Sequence, residues 1–266
     1  MIRVVLLAML AICARAVFCG RFNLTRPEDI VERFGFMDWS DKRPAPRFNI
    51  APSQEILTIV QEPLGKPFAQ TATWGLKPFW LKPETSTGKK PPPINARAES
   101  LASSPMFREA LEKGRCLIPA TGFFEWRVLA PKQRQPMHIQ LKDGGLFAFA
   151  GLWLPPAKRG GSPSAAIITT RPNELMATIH TRMPAILLPE QEQAWLDPAA
   201  TDALQLLSPY PAELMRAYPV SALVNSWENE SPAVLEPASP PLAEIQGALP
   251  LAEDAANDGG GNRFRR

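Results

Sequence analysis

Histidine, cysteine and tyrosine are scarce in this chain of 266 residues, which holds two, three and two of them respectively. Two histidines, His138 and His180, are too few for a histidine-built metal centre. The cysteines Cys13, Cys19 and Cys116 form no Cys-x-x-Cys pair and no even set, which argues against a disulfide scaffold and against structural zinc. A dominant charge sign is lacking too: 29 Lys and Arg face 26 Asp and Glu, and a net +3 does not by itself imply nucleic acid. The apolar run Val4–Ala14 is too short to be a good transmembrane helix. What is plentiful is proline, 30 against 16 glycines, which predicts stiff loops and short elements. With 45% hydrophobic and 21% charged residues the composition is that of a soluble globular protein, long enough for one sizeable core.

The front of the chain sets the first problem. Arg3, the apolar run and Ala14-Arg15-Ala16 have the shape of a short secretory signal. Cleavage after Ala16 would leave Val17-Phe18 ahead of Cys19, and Ile12 is bulky where a lipoprotein signal wants a small residue. We therefore read residues 1–18 as a leader or propeptide and expect a cytoplasmic, nucleoid-associated protein rather than a secreted one.

Along the chain, Thr25-Arg26-Pro27-Glu28 reads as a capping box that opens a helix to about Phe34. Phe48 to Pro52 reads as a loop. Glu55–Val60 and Ala69–Trp74 read as strands, and the proline-rich Lys82–Pro93 as a surface loop. Pro105 and Gly114 bracket a helix. Strands follow at about Arg115–Ile118, Gly122–Val128, Met137–Leu141, Leu146–Trp153 and Ala165–Thr169, with helices at Asn173–Ile179 and Pro189–Leu196. From about Pro237 the composition turns to Pro, Ala, Gly and Asp and predicts a disordered tail, 238–266. The reading is one mixed domain over 19–237, richer in strands than in helices.

Cys19 is the residue with the most distinctive potential chemistry. As the first residue of a chain it would present a thiol and a free α-amine on adjacent carbons. The α-amine titrates near 7.7–8.0 against about 10.4 for lysine, so at neutral pH roughly several hundred times more of it is neutral and nucleophilic. An aldehyde meeting it forms an imine, and the thiol can close on the imine carbon to give a thiazolidine ring. Asn95 and Arg97, two apart in an extended segment, face the same way and suit a polar atom and a phosphate. Glu125, in Gly122-Phe123-Phe124-Glu125-Trp126, is a carboxyl among aromatics, costly to bury unless paired or raised in pKa. His180, beside an arginine in His180-Thr181-Arg182-Met183-Pro184, is a candidate acid or base. His138 alternates with Met137 and Ile139 and is expected to face solvent, Cys116 to be a core residue. Of the tryptophans, Trp74 or Trp80 is the candidate platform for an unstacked base.

These segments, in this order, together with Cys19-Gly20-Arg21-Phe22, Phe48-Asn49-Ile50-Ala51-Pro52, Trp74-Gly75-Leu76-Lys77-Pro78-Phe79-Trp80 and Arg115-Cys116-Leu117-Ile118-Pro119-Ala120, resemble the SOS-response-associated peptidase (SRAP) family, whose members are abasic-site processing proteins. The resemblance implies an α+β fold: a single domain with an antiparallel, barrel-like β-sheet core, peripheral helices and a positively charged cleft for single-stranded DNA. It implies that Cys19 forms the thiazolidine with the ring-opened sugar of an abasic site, a covalent crosslink in the DNA damage response. By the same resemblance Asn95 positions the amine and sugar, Glu125 relays protons, and His180 assists ring opening and crosslink reversal. Arg97 and Arg21 would lie on the DNA backbone. A thiol autopeptidase and a lyase-like activity are implied, with single-stranded DNA containing abasic sites as partner, no metal or organic cofactor, no membrane, and a monomer.

Family members usually begin Met-Cys, whereas Phe18 precedes Cys19 here. We therefore expect cleavage of the Phe18–Cys19 bond, with Glu125 or His180 as base. Two other readings stay open on sequence alone: a cysteine peptidase acting on other proteins, and a non-covalent reader of single-stranded or modified DNA.

Overall fold

The computed structural model describes residues 19–34, 44–61, 65–80, 91–156 and 161–238. The leader 1–18, most of the loop expected at 82–93 and the tail from 239 lie outside the described residues.

Five strands close into a barrel. They are β3 (Glu55–Val60) and β4 (Phe68–Trp74), then β6 (Arg115–Ala120), β9 (Phe147–Leu154) and β10 (Ser164–Thr170). Around the ring β10 pairs with β4, β4 with β3, β3 with β6, β6 with β9, and β9 again with β10. All these pairs are antiparallel except β4–β10, a parallel seam, so the core is not wholly antiparallel. Beyond the end of β4, β5 (Asn95–Arg97) continues along β10 in the same parallel sense. The second sheet runs β13-β8-β7-β1-β2, with β1 at Phe22–Leu24, β2 at Arg47–Ile50, β7 at Gly122–Ala130, β8 at Gln133–Leu141 and β13 at Met215–Pro219.

The helices are peripheral and short: α1 (Asp29–Phe34), α2 (Arg108–Lys113), α3 (Glu174–Ala177) and α4 (Pro189–Leu196). Helix α1 opens later than the capping box predicts, because the Thr25 hydroxyl sits 3.0 Å from that of Thr121. The expected loop at Phe48–Pro52 begins as strand β2, an edge strand too short to show a sequence period.

The core fills from both sheets. Phe22 of β1 meets Trp74 edge-on, with ring centroids 5.1 Å apart, and Phe149 at 5.8 Å. Large aromatics in such contacts carry much of the area removed from water. A smaller cluster of Phe124, Val220, Val224 and Val234 forms on the opposite face of the second sheet, under the segment that follows β13.

That second cluster overturns the expectation for His138. The strand does alternate, but the face opposite Met137 and Ile139 is covered, so His138 is buried. Asn23 Nδ2 donates to His138 Nε2 at 2.9 Å, leaving Nδ1–H to donate to the Tyr218 hydroxyl at 3.0 Å; Tyr218 in turn donates to the Leu235 carbonyl at 3.1 Å. Gly122 is required at this crossing, since a Cβ there would come within 2.3 Å of His138 Nε2.

Burial pushes the His138 imidazole down to about 3, with the charge of Arg216 adding to the effect. An unfolded histidine titrates near 6.5, so below that pH the unfolded chain takes up a proton the native state refuses. His138 therefore lowers stability as pH falls from about 6.5 towards 3. Glu192 of α4 acts in the opposite sense. Although it meets Arg33 at 2.7 Å, its desolvation outweighs that pairing and raises the carboxyl to about 7, so its contribution weakens as pH rises from about 4.5 to 7. Denaturant melts across pH 4 to 7.5 should show Glu192→Gln flattening the loss on the neutral side. His138→Gln should flatten the loss on the acid side, at about 1–3 kcal/mol of stability at pH 7 from its broken hydrogen bonds.

Candidate active site

Strand β1 carries Cys19 into place. Phe22 pairs with Phe123 across the ladder, and the Phe124 amide donates to the Arg21 carbonyl at 2.9 Å. The chain just before β1 is thereby held along β7, and the Cys19 amide donates to Glu125 Oε1 at 2.6 Å. In the uncleaved chain this nitrogen belongs to the Phe18–Cys19 peptide; it marks the position an α-amine would occupy once Phe18 is gone. Cys19 is buried and adopts φ +43°, a left-handed conformation that costs a non-glycine residue about 1–2 kcal/mol.

Glu125 is buried because both faces of β7 are covered at this point. Phe124 faces the second cluster, whereas Glu125, two residues on from Phe123 and paired with Met137, points with them to the main-core side and is buried there. Burial raises its carboxyl above the usual range, while the charge of His180 and hydrogen bonds from Cys19 pull it partly back. The Cys19 thiol is pushed well up, first by burial and then by the Glu125 charge and hydrogen bond, with Arg182 acting against the rise. The thiol is therefore protonated at neutral pH, and one carboxyl receives both its hydrogen bond and that of the Cys19 nitrogen. A carboxyl with a raised pKa that touches a nitrogen and a sulfur is suited to move protons between them.

Opposite stand the residues after α3. Asn173 caps that helix by accepting from the Met176 amide at 2.8 Å, and the His180 amide closes the turn on the Met176 carbonyl at 2.8 Å. His180 Nδ1 then accepts from the Arg182 amide at 3.1 Å, fixing the ring. Arg182 forms a bidentate pair with Glu99, at 2.7 and 2.9 Å, and donates to the Thr169 carbonyl at 2.7 Å. Its charge acts on the Cys19 thiol, and it is not among the site residues expected from the sequence. The signal was present: Arg182 lies two residues from His180 in a segment leading into β11 (Met183–Pro184), where alternate side chains share a side.

The other expected site residues fall in three places. Asn95 and Arg97 lie on β5 against Ile167 and Thr169 of β10, the second of which also receives Arg182. Asn95 is half-buried and Arg97 exposed, with Ala96 between them turned inward. Arg21, expected on the DNA backbone, sends Nη1 inward to Asn49 Oδ1 and the Val224 carbonyl, both at 2.8 Å, so that nitrogen serves the fold. Trp74 cannot serve as a base platform: it is 0% exposed and its Nε1 donates to the Ile94 carbonyl at 2.9 Å, whereas Trp80 is 47% exposed. Cys116 is buried in the barrel and its thiol is pushed far up by burial alone. Among the described residues, no cluster of His, Cys, Asp or Glu has metal-holding geometry, and no helix is long and apolar enough to cross a membrane.

A barrel joined to a second sheet thus holds a cysteine hydrogen-bonded to a buried glutamate on which the charge of a histidine acts. The family model of the SOS response associated peptidase (SRAP) matches residues 18–227, and the chain belongs to that family. A Bacillus subtilis protein named abasic site processing protein YoqW is 47% identical over 227 residues, covering 82% of this chain and 99% of the relative. Abasic site processing protein YedK of Escherichia coli is 30% identical over 233 residues, covering 82% and 99%. The solved structure of a protein from Bacteroides thetaiotaomicron superposes with a TM-score of 0.69 at 27% identity, over 83% of this chain and all of that one.

The two tryptophans are expected to separate on substitution. Trp74→Ala should cost about 3–5 kcal/mol of unfolding free energy, as large-to-small changes in a core do, while Trp80→Ala should stay within about 0.5 kcal/mol of wild type. Fluorescence-monitored urea melts check both.

Proposed function

We propose that this protein binds single-stranded DNA and crosslinks covalently to abasic sites through Cys19, after the residues ahead of it are removed. The observation that carries the reading is the buried 2.6 Å contact between the Cys19 nitrogen and Glu125 Oε1. The names of the relatives supply the substrate class, since an abasic site in its ring-opened form carries an aldehyde.

The chemistry runs in three steps. With Phe18 gone, the Cys19 α-amine adds to the aldehyde carbon, and Glu125 moves protons as the carbinolamine loses water to the imine. The thiol then adds to the imine carbon while its proton passes to the nitrogen. The product is a thiazolidine of Sγ, Cβ, Cα, N and the former aldehyde carbon, which shields the site from strand cleavage. His180, whose charge acts on Glu125, is the acid or base for opening the sugar and for reversal. Asn95 orients the amine and sugar, and Arg97 with Trp80 holds the strand on either side. The reaction needs neither metal nor organic cofactor. Self-removal of the leader makes the protein a thiol autopeptidase as well.

The test uses protein released from a fusion so that Cys19 comes first, mixed with a single-stranded oligonucleotide bearing one abasic site. A denaturant-resistant adduct is expected with wild type and with Cys116→Ala, and none with Cys19→Ala. Glu125→Gln should slow adduct formation by about 10²–10⁴-fold, the usual contribution of a positioned acid–base group. Salt-sensitive binding without any adduct would replace this reading with a non-covalent DNA reader.

A further inference from the structure

The chain carries a formal charge of +3 over 266 residues, and one short segment holds the same excess by itself. Trp126-Arg127-Val128-Leu129-Ala130-Pro131-Lys132-Gln133-Arg134-Gln135-Pro136 contains three cations and no carboxylate, so the rest of the chain is formally neutral. This segment is the outer half of the β7–β8 hairpin. Strand β1 pairs with β7 at Gly122 and Phe123, and β13 pairs with β8 no further out than Met137. Beyond these rungs β7 and β8 pair with each other, from Trp126 with Pro136 to Ala130 with Gln133. The result is a two-stranded ribbon that extends past the sheet, about 17 Å from Glu125 to Ala130 at the usual rise of a strand.

The ribbon starts at the candidate active site. Arg127 lies two residues from Glu125 on the same side of β7, about 7 Å further along the strand. It is half-buried, and its Nε is buried with no hydrogen-bond partner. Lys132 and Arg134 are exposed. Arg26, Arg33, Arg47 and Arg182 each meet a carboxylate within 3.3 Å, whereas none of the three ribbon cations joins an ion pair among the described residues. The edge of the ribbon adds a donor. Because the Phe124 amide donates to Arg21, the Val128 amide, four residues on, points out of the same edge, past the last rung with β1. Cations and an amide spaced along an extended edge fit a row of fixed anions, and a nucleic-acid backbone is such a row.

We propose that the outer β7–β8 ribbon is a backbone-binding arm for the DNA strand that flanks the abasic site. Arg127 takes the phosphate nearest the reacting centre, and Lys132 and Arg134 act towards the tip. This rests on the reading of the site given above and adds to it a surface that extends beyond Trp80 and Arg97. The contacts go to phosphate, so they position the strand without reading its sequence. A purely structural hairpin would carry such cations only to deter pairing at an open edge. The two roles differ in one observable, since only bound phosphates release counterions and steepen the salt dependence of binding.

The experiment measures binding of the full chain to an undamaged single-stranded oligonucleotide by fluorescence anisotropy over a range of salt concentrations. An undamaged strand carries no aldehyde, so no adduct interferes. Each phosphate contact on a single strand contributes about 0.7 to the slope of log K against log salt. Arg127→Gln/Lys132→Gln/Arg134→Gln is expected to lose about 2 of that slope. Lys132→Gln/Arg134→Gln, confined to exposed positions, should lose about 1.4. Arg127→Lys/Arg134→Lys keeps the charges and should keep the slope. A folded triple variant with the wild-type slope overturns the proposal, as does an equal loss of slope in the charge-conserving variant. If thermal melts show the triple variant unfolded, the double variant decides by the same criterion. An abasic oligonucleotide mixed with protein that begins at Cys19 keeps the two readings apart. Loss of slope in the variants with no adduct in wild type leaves the arm standing and removes the crosslinking function; an adduct with unchanged slopes does the reverse.

Discussion

The hydrogen bonds from Cys19 to Glu125 are the constraint on which the rest of the site depends. A carboxylate in water would bind neither an amide nor a thiol with much advantage, because water competes for every partner. In a buried site the same contacts are strong, and an unpaired carboxylate there would be costly. Glu125 is therefore held by its partners as firmly as it holds them. Its raised pKa follows from the same burial, and so does the protonated state of the thiol. One cause, exclusion of water at the junction of the two sheets, produces the proximity of the groups and the protonation states that make the proximity useful.

The fold achieves that exclusion by covering both faces of a single strand. Phe123 anchors β7 to the barrel core, where it meets Phe149 with centroids 6.0 Å apart. Phe124 anchors the other face under Val220, Val224 and Val234. The segment after β13 is fastened by polar bonds: Asn49 Nδ2 donates to the carbonyls of Ser226 and Asn229, and Trp126 Nε1 to Asn225 Oδ1 at 2.8 Å. Arg21 joins this network at Val224. The residues that flank Cys19 and Glu125 along the chain thus lie under one C-terminal wrap, on the side away from the barrel.

Much of this was legible in the residues. Glu55–Val60 and Pro189–Leu196 have the strand and helix bounds their patterns predict, because alternation and a proline at the first helical position are local signals. Glu125 stood out in the sequence as a carboxyl among aromatics. Its burial was not decidable there, since which face of β7 packs on the barrel, the one Glu125 shares with Phe123, is set by distant contacts such as Phe123 against Phe149. The same wrap explains why His138 reads as a solvent-facing residue and is buried. Trp74 and Trp80 look equivalent in sequence; only the ring of Phe22 and the carbonyl of Ile94 distinguish the core tryptophan from the exposed one. Arg21 is a similar case, an arginine at a position expected to meet phosphate that spends a nitrogen on the fold. Short strands such as β2 and β5 carry too few residues to show a period at all.

The most direct test of the central role given to Glu125 is the N-terminal sequence and intact mass of protein expressed in cells from Met1, in wild type and in the isosteric Glu125→Gln variant, with thermal melts to verify that both fold. The account predicts that wild-type protein begins at Cys19 and that Glu125→Gln retains Phe18 ahead of it. A folded Glu125→Gln protein that begins at Cys19 as cleanly as wild type would contradict it, as would wild-type protein that keeps Phe18 and still forms the abasic-site adduct.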